Sequence, residues 1–169
     1  NDEYSSDDSP VVNLLSGNYP DSTDLSASIN AMWDADNLYL SATVVDDSIN
    51  VQDSLGFWNR DGIEIALSLE EGSGFRAASW EGWCGGNDDA KIMVNALTAE
   101  MDISDLISDT DGIVAASEET EGGYVIEIQI PWASIDENFT PVNGQKFNLE
   151  VAVNDNDDAE NSRQNILTW

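Results

Sequence analysis

Strict alternation of apolar and polar residues in four segments is the feature that most constrains the fold of this chain. The apolar members occupy every second position at 38–44, 63–69, 124–130 and 147–153. Successive side chains of a β-strand point to opposite faces, so a period of two predicts a strand with one apolar face and one wetter face. Four such strands predict antiparallel sheets that bury one of their faces.

Weaker strand patterns complete an all-β prediction. Clusters of Gly, Asn and Asp separate them, which favours a sandwich of two antiparallel sheets, of the jelly-roll or immunoglobulin-like kind. Helix is expected to be minor, with one turn at 99–107 and another at 133–137, and Asn143-Gly144 is a hairpin-type turn signal. The weaker strands are predicted at 11–15, 25–33, 74–79, 90–97, 112–117 and 164–169.

The length of 169 residues fits a single domain with one core. Residues 1–9 are polar and acidic without an apolar period, and we expect a linker or a disordered start there. Residues 10–169 are predicted to form one β-sandwich domain. No apolar run approaches the ~18 residues of a membrane span.

Composition excludes several classes of function. The chain has 34 Asp and Glu, 5 Lys and Arg and no His, for a formal net charge of −29. Such a field repels nucleic acid and anionic lipid, and it favours cations and a saline, marine or calcium-rich extracellular setting. Without His, and with Cys84 as the single cysteine, Ser-His, Cys-His and His-zinc machinery and an internal disulfide are excluded. A non-catalytic protein is therefore expected, although a carboxylate pair for glycoside hydrolysis stays open.

The six tryptophans are either core residues or binding platforms. Trp33 and Trp132 adjoin apolar runs and are predicted to lie in or near the core. Trp58 lies in a polar loop just before a strand, where an aromatic ring can project from a sheet edge and offer its face to a sugar. Packing beneath a loop is the alternative for Trp58.

Segments 33–40, 58–65, 122–132 and 151–155, in this order, resemble the family 9 carbohydrate-binding modules and the wider set of DOMON-like β-sandwich domains. The most specific block combines Trp58, Asp61, Glu64 and Ile65. In that family, tryptophans at a loop rim sandwich a terminal sugar while a carboxylate bonds its hydroxyls. The resemblance thus implies that Trp58 stacks on ligand and that Glu64, on the outward face of the next strand, binds hydroxyls, with Asp61 between them.

Two departures from the family pattern concern this binding site. Met93 stands where similar modules often have a basic residue that bonds the sugar. The sequence ends at Trp169, before the segment where the second sandwiching tryptophan is expected. Trp80 and Trp83, in a Gly-rich loop, are candidates for that second wall.

Calcium is the expected cofactor, because a hard cation takes six to eight oxygen ligands from carboxylates, amides and carbonyls. The resemblance implies structural calcium in acidic loops at strand ends, and solvated acidic surface is the alternative. The candidate ligands are Asp46, Asp47, Asn154, Asp155, Asp157 and Asp158.

Together these features predict a secreted, non-catalytic, calcium-stabilised module that recognises a sugar terminus or short glycan of an oligo- or polysaccharide. A larger secreted enzyme or surface assembly is its expected context, with no nucleic acid partner and no membrane insertion. The alternative is a structural or adhesive calcium-binding sandwich, a subunit of a cell-surface or filament assembly, without a sugar site.

Overall fold

The computed structural model describes residues 9–10, 13–17, 21–69, 89–103, 107, 109–158 and 162–168. The regular secondary structure of these residues is almost entirely β-strand, with one short α-helix and one 3-10 helix, and loops connect the elements. The elements in chain order are β1 (Ser9–Pro10), β2 (Asn13–Ser16), β3 (Leu25–Trp33), β4 (Asn37–Asp46), the 3-10 helix (Phe57–Asn59), β5 (Gly62–Ser68), β6 (Asp89–Asn95), β7 (Met101–Ile103), β8 (Val114–Thr120), β9 (Gly123–Pro131), α1 (Trp132–Ile135), β10 (Asn148–Asp155) and β11 (Asn165–Thr168).

Two antiparallel sheets form the domain, which confirms the predicted all-β sandwich. Sheet 1 has the strand order β1-β3-β4-β9-β8, and sheet 2 has the order β2-β11-β10-β5-β6-β7. The predicted strand at 74–79 lies outside the described residues.

The core lies between the sheets and is filled by the alternating apolar positions. On β4 every second residue from Leu38 to Val44 is buried, while Tyr39, Ser41 and Thr43 point away from the core. The main cluster also includes Ile63, Ile65 and Leu67 of β5, Tyr124, Ile126, Ile128 and Ile130 of β9, and Val151 and Val153 of β10.

Both faces of strand β5 are buried. Its core face carries Ile63 and Ile65, while Ala66 belongs to a second apolar cluster with Ala152 and Ile166 on the outer face of sheet 2. An outward residue of β5 is therefore withdrawn from solvent, and this determines the environment of Glu64.

The prediction of a helical turn at 99–107 is wrong. Met101–Ile103 forms an edge strand that pairs with β6, with Ile92 opposite Ile103. Leu97 and Ala99 have φ values of 57° and 53°, which places them in the left-handed region and ends any right-handed helix. The expected turn at 133–137 corresponds to α1 (Trp132–Ile135).

Asn143 and Gly144 form a turn closed by the bond from Gln145 N to Val142 O, 3.0 Å. This turn connects α1 to β10 and not two paired strands, so it is not the predicted hairpin turn. No helix within the described ranges combines the length and hydropathy that a membrane crossing requires.

The two tryptophans predicted for the core behave differently. Trp132 is buried, packs against Phe139 and Phe147, and donates its indole N–H to Asp34 O over 3.1 Å. Trp33 is 38% exposed, contrary to the prediction. It is the last residue of β3, and the apolar run beside it continues only after the turn, in β4.

Candidate functional site

Three strands bring acidic residues to one end of the sandwich. Asp46 ends β4 in sheet 1, Asp155 ends β10 in sheet 2, and Asp61 immediately precedes β5. Carboxylate oxygens of these three residues lie within 4.8 Å of one another, and all three side chains are buried. We call Asp46, Asp61 and Asp155 the carboxylate cluster; it joins the two sheets.

Backbone and side-chain donors orient the carboxylate cluster. Asp61 accepts bonds from the backbone N–H of Asn50 and, over 2.6 Å, from that of Asn156. Asp155 Oδ2 accepts from Asn165 Nδ2 over 2.6 Å. Asp46 Oδ2 and Asp155 Oδ1 are buried and have no hydrogen-bond partner in the described structure. Two buried carboxylate oxygens without partners are costly unless another group compensates them.

The electrostatics of the carboxylate cluster reflect its burial. Desolvation raises the pKa of Asp46 to about 6, that of Asp155 to about 7 and that of Asp61 to about 9. Repulsion from Asp46 adds to the increase at Asp61. The buried Tyr124 phenol has its pKa raised well above 10 by desolvation and by the charges of the cluster. A cation would offset all of these penalties.

The raised pKa values predict that the cation-free protein loses stability as pH rises. The folded state keeps protons that the unfolded state, with Asp pKa values near 3.8, has released. The contribution of these groups to the free energy of unfolding is therefore present below about pH 4 and is lost between about pH 4 and about pH 9. Urea unfolding of chelator-dialysed protein at several pH values measures this slope.

Asp155→Asn serves as the control for this pH dependence, because it removes one of the titrating carboxyls. The variant should show a smaller loss of stability over the same range. A slope that is equal in both proteins, or stability that rises with pH without any cation, would contradict the expectation.

A second acidic group lies beside the carboxylate cluster. Oxygens of Asp24, Asp47 and Asp157 lie within 4.8 Å of one another, and Asp47 and Asp157 are exposed. Desolvation, followed by the charges of Asp24 and Asp47, raises the pKa of Asp157. Because Asp47 and Asp157 are exposed, water solvates their carboxylates, and this group needs an ion less than the buried carboxylate cluster does.

Glu64 is the centre of a buried polar network on the outer face of sheet 2. Its side chain is 0% exposed. Lys91 Nζ lies 2.8 Å from Glu64 Oε2, while Glu64 Oε1 accepts bonds from Arg163 Nη1 and from Asn154 Nδ2, the latter over 2.8 Å. Arg163 Nη1 also donates to Asn154 Oδ1 over 2.9 Å. We call Glu64, Lys91, Asn154 and Arg163 the Glu64 network.

Two of the chain's 5 basic residues therefore converge on one carboxylate. Desolvation lowers the pKa of Arg163, and the charge of Glu64 opposes this shift. The side chains of Lys91 and Arg163 are 21% and 10% exposed, so Lys91 is the member that most faces solvent.

Trp58 is 53% exposed and lies on the 3-10 helix Phe57–Asn59, just before β5. This helix is held by Asn156 Nδ2, which donates to Asn59 O, and by Arg60, whose guanidinium donates to Leu55 O. A Cβ at Gly56 would lie 3.1 Å from the Trp58 ring, so glycine allows the indole to lie against the backbone there.

The structure divides the predicted site residues between these two centres. Asp61, predicted at the sugar site, lies in the carboxylate cluster, and Asn154, predicted as a metal ligand, lies in the Glu64 network. Asp158 is in neither acidic group; its N–H donates to Asn156 Oδ1 over 3.0 Å. Trp80 and Trp83 lie outside the described residues.

Several residues of the site had no individual signal in the sequence. Lys91 lies two residues before Met93, on the same face of β6, so a search along that face could have found the basic group. Arg163 is 99 residues from Glu64 in the chain, and only the order β11-β10-β5 brings them together.

Comparison with known proteins identifies the family. The model of the carbohydrate family 9 binding domain-like family matches residues 2–169. The chain is 30% identical over 138 residues to endo-1,4-beta-xylanase A of Thermoanaerobacterium saccharolyticum, covering 82% of the chain and 10% of that protein. It is 29% identical to exoglucanase XynX of Acetivibrio thermocellus, covering 85% of the chain and 12% of that protein. The chain thus spans about a tenth of the length of these relatives.

Solved structures share the fold. A family 9 carbohydrate-binding module from Caldicellulosiruptor kristjanssonii in complex with glucose has a TM-score of 0.69 and 23% identity, covering 92% of this chain and 72% of that chain. The cellotriose complex of a module from the same organism has a TM-score of 0.69 and 23% identity, covering 93% of this chain and 72% of that one. Because the family model matches almost the whole sequence, this chain belongs to the carbohydrate family 9 binding domain-like family, a family of binding domains and not of catalytic ones.

Proposed function

We propose that this domain binds a sugar terminus or a short glycan through the exposed Trp58 indole and the adjacent polar face of the Glu64 network. The observation that carries the proposal is the exposure of Trp58, 53%, on a helix that leads directly into the strand of Glu64. The names of similar proteins support this ligand class, since solved relatives are complexes with glucose and cellotriose.

The two parts supply different components of the binding free energy. An indole face that covers ~100 Å² of a sugar ring contributes about 2.5 kcal/mol at ~25 cal/mol/Å². That is less than the association cost of about 4–15 kcal/mol, so polar contacts must add to the stacking. Lys91, the more exposed member of the Glu64 network, is the donor that a sugar hydroxyl reaches first, while Glu64 fixes its position.

Substitution of Trp58 tests the sugar site. Trp58→Ala should lower the affinity for cellotriose by about 60-fold, which corresponds to about 2.5 kcal/mol of lost stacking. Isothermal titration at near-physiological calcium, after a glycan array that includes glucans and xylans, measures the loss.

Trp33→Ala is the matched control, because Trp33 is also exposed but lies at the other end of β3 from the carboxylate cluster. It should leave affinity unchanged. Equal losses in both variants would argue against stacking on Trp58. An absence of binding to any glycan, together with concentration-dependent assembly, would favour the structural or adhesive role instead.

We further propose that Asp46, Asp61 and Asp155 hold a calcium ion. The buried oxygens without partners and the mutual repulsion of the three groups support it, because a hard cation prefers carboxylate oxygens. Asp24, Asp47 and Asp157 are candidates for a second ion. Bound calcium supplies positive charge that joins the two sheets at this end.

The setting of the domain is also a proposal. The curated relatives include xylanases and an exoglucanase of which this chain spans about a tenth, which supports a role as a binding module within a larger secreted enzyme. The net charge of −29 is consistent with a saline or calcium-rich extracellular medium.

A further inference from the structure

Residues 154–156 contact both centres of the site. Asn154 donates to Glu64 on the outer face of sheet 2, and Asp155 belongs to the carboxylate cluster. Asn156 is fully buried, and its backbone N–H donates to Asp61 Oδ1 over 2.6 Å while its side-chain amide donates to Asn59 O. One short segment thus touches the carboxylate cluster, the Glu64 network and the helix of Trp58.

Asn156 makes the most direct of these connections. The helix Phe57–Asn59 has three residues and no side-chain cap, so its position depends on contacts from outside it. The bond from Asn156 Nδ2 is one such contact, and it comes from a residue whose own backbone is bonded to the Asp61 carboxylate.

The positions of the carboxylates in the carboxylate cluster should depend on whether a cation is bound there. Its oxygens lie within 4.8 Å of one another, and Asp46 Oδ2 and Asp155 Oδ1 are buried without partners. Without a cation, these close, buried oxygens have no group that compensates them, which favours separation and solvation of the carboxyl groups. Asp61 cannot move without disturbing its bond to Asn156, and a shift of Asp155 displaces its neighbours Asn154 and Asn156.

We propose that Asn156 is a positioning residue that couples occupancy of the carboxylate cluster to the placement of Trp58, so that calcium raises the sugar affinity of the domain. This proposal rests on the proposed function for both ligands. Coupling between two sites is reciprocal, so a sugar should raise calcium affinity by the same factor. We expect a factor of about ten, within the usual range for coupled sites.

The first experiment detects a change in the environment of Trp58 directly and does not require a sugar. The chain is labelled with 19F-tryptophan, and the resonance of residue 58 is assigned with Trp58→Phe. Addition of CaCl2 to chelator-treated protein should shift and sharpen that resonance. In Asn156→Ala the response of residue 58 should be lost, while the calcium-induced rise in melting temperature is retained. The Trp33 resonance is the internal control and should not respond.

Cellotriose titration with and without calcium completes the test. The affinity ratio should be about tenfold in the original chain and below about twofold in Asn156→Ala. The coupling is overturned if the Trp58 resonance does not change on addition of calcium, or if it changes equally in the original chain and in Asn156→Ala. Failure of the sugar proposal gives a different result, namely no cellotriose binding in either condition with the calcium response of Trp58 intact.

Discussion

Replacement of Asp155 by Asn is expected to stabilise the cation-free domain and to remove most of its stabilisation by calcium. Asn has the same shape, can still accept the bond from Asn165 Nδ2, and can turn its amide N–H toward the other carboxylates. The substitution removes a buried carboxyl that desolvation makes costly to ionise, a gain of about 1–3 kcal/mol near neutral pH. The same change deletes a ligand that the proposed calcium ion needs.

The original chain should be less stable than the Asp155 variant in chelator, and it should gain more stability from calcium. Calcium at ~100 times its dissociation constant should stabilise it by about 2.7 kcal/mol. For a domain of this size that corresponds to an increase of roughly 5–11 °C in melting temperature. Thermal unfolding of both proteins, in chelator and in calcium, gives the four values required.

Glu127→Gln is the control for the Asp155 variant, because Glu127 is exposed on the outer face of sheet 1 and loses the same charge. It should respond to calcium like the original chain. If chelation leaves all melting temperatures unchanged, or if the Asp155 variant gains as much from calcium as the control, the carboxylate cluster is not the calcium site.

Replacement of Glu64 by Gln should destabilise the fold by about 3–5 kcal/mol, whether or not sugar is present. Lys91 and Arg163 both pair with this carboxylate, and each side chain is largely buried. Removing the carboxylate charge leaves two cations in a poorly solvated position, and the amide of Gln adds a donor where acceptors are needed. The melting temperature should fall by roughly 6–20 °C.

A double-mutant cycle separates pairing from packing at Glu64. Lys91→Met, Arg163→Met and their combinations with Glu64→Gln should show that loss of a cation is less harmful once the carboxylate charge is absent. Glu127→Gln again provides a matched change of charge at an exposed position and should cost less than about 0.5 kcal/mol. A Glu64 variant as stable as that control would show that the network contributes nothing.

The alternation of apolar and polar residues was sufficient to predict the fold, but it did not predict the burial of every side chain. The alternation at 38–44 predicts β4 and its buried face, and the structure confirms both. Trp33 has the same kind of apolar neighbours as Trp132, yet it is exposed because it ends its strand. The local alternation predicts on which face of the sheet a side chain lies. Burial at a strand end depends instead on which other parts of the chain pack against it.

The assignment of acids to sites required the tertiary structure. Asp61 and Glu64 belong to one sequence block, but they lie in different centres, because one precedes β5 and the other points outward from it. Glu64 is buried although an outward carboxylate on a strand is usually solvated, because β5 is an inner strand whose two faces are both covered.

The sequence by itself determined the all-β sandwich and the acidic ends of β4 and β10, since these depend on residue type and a period of two along a single strand, while it left open whether Trp58 is exposed or packed beneath a loop. Only the tertiary structure decided that Asp46, Asp61 and Asp155 converge, that Lys91 and Arg163 meet at Glu64, and that Asn156 joins the two centres. These contacts join residues that are far apart in the chain, and strand order and register, which no local pattern specifies, bring them together.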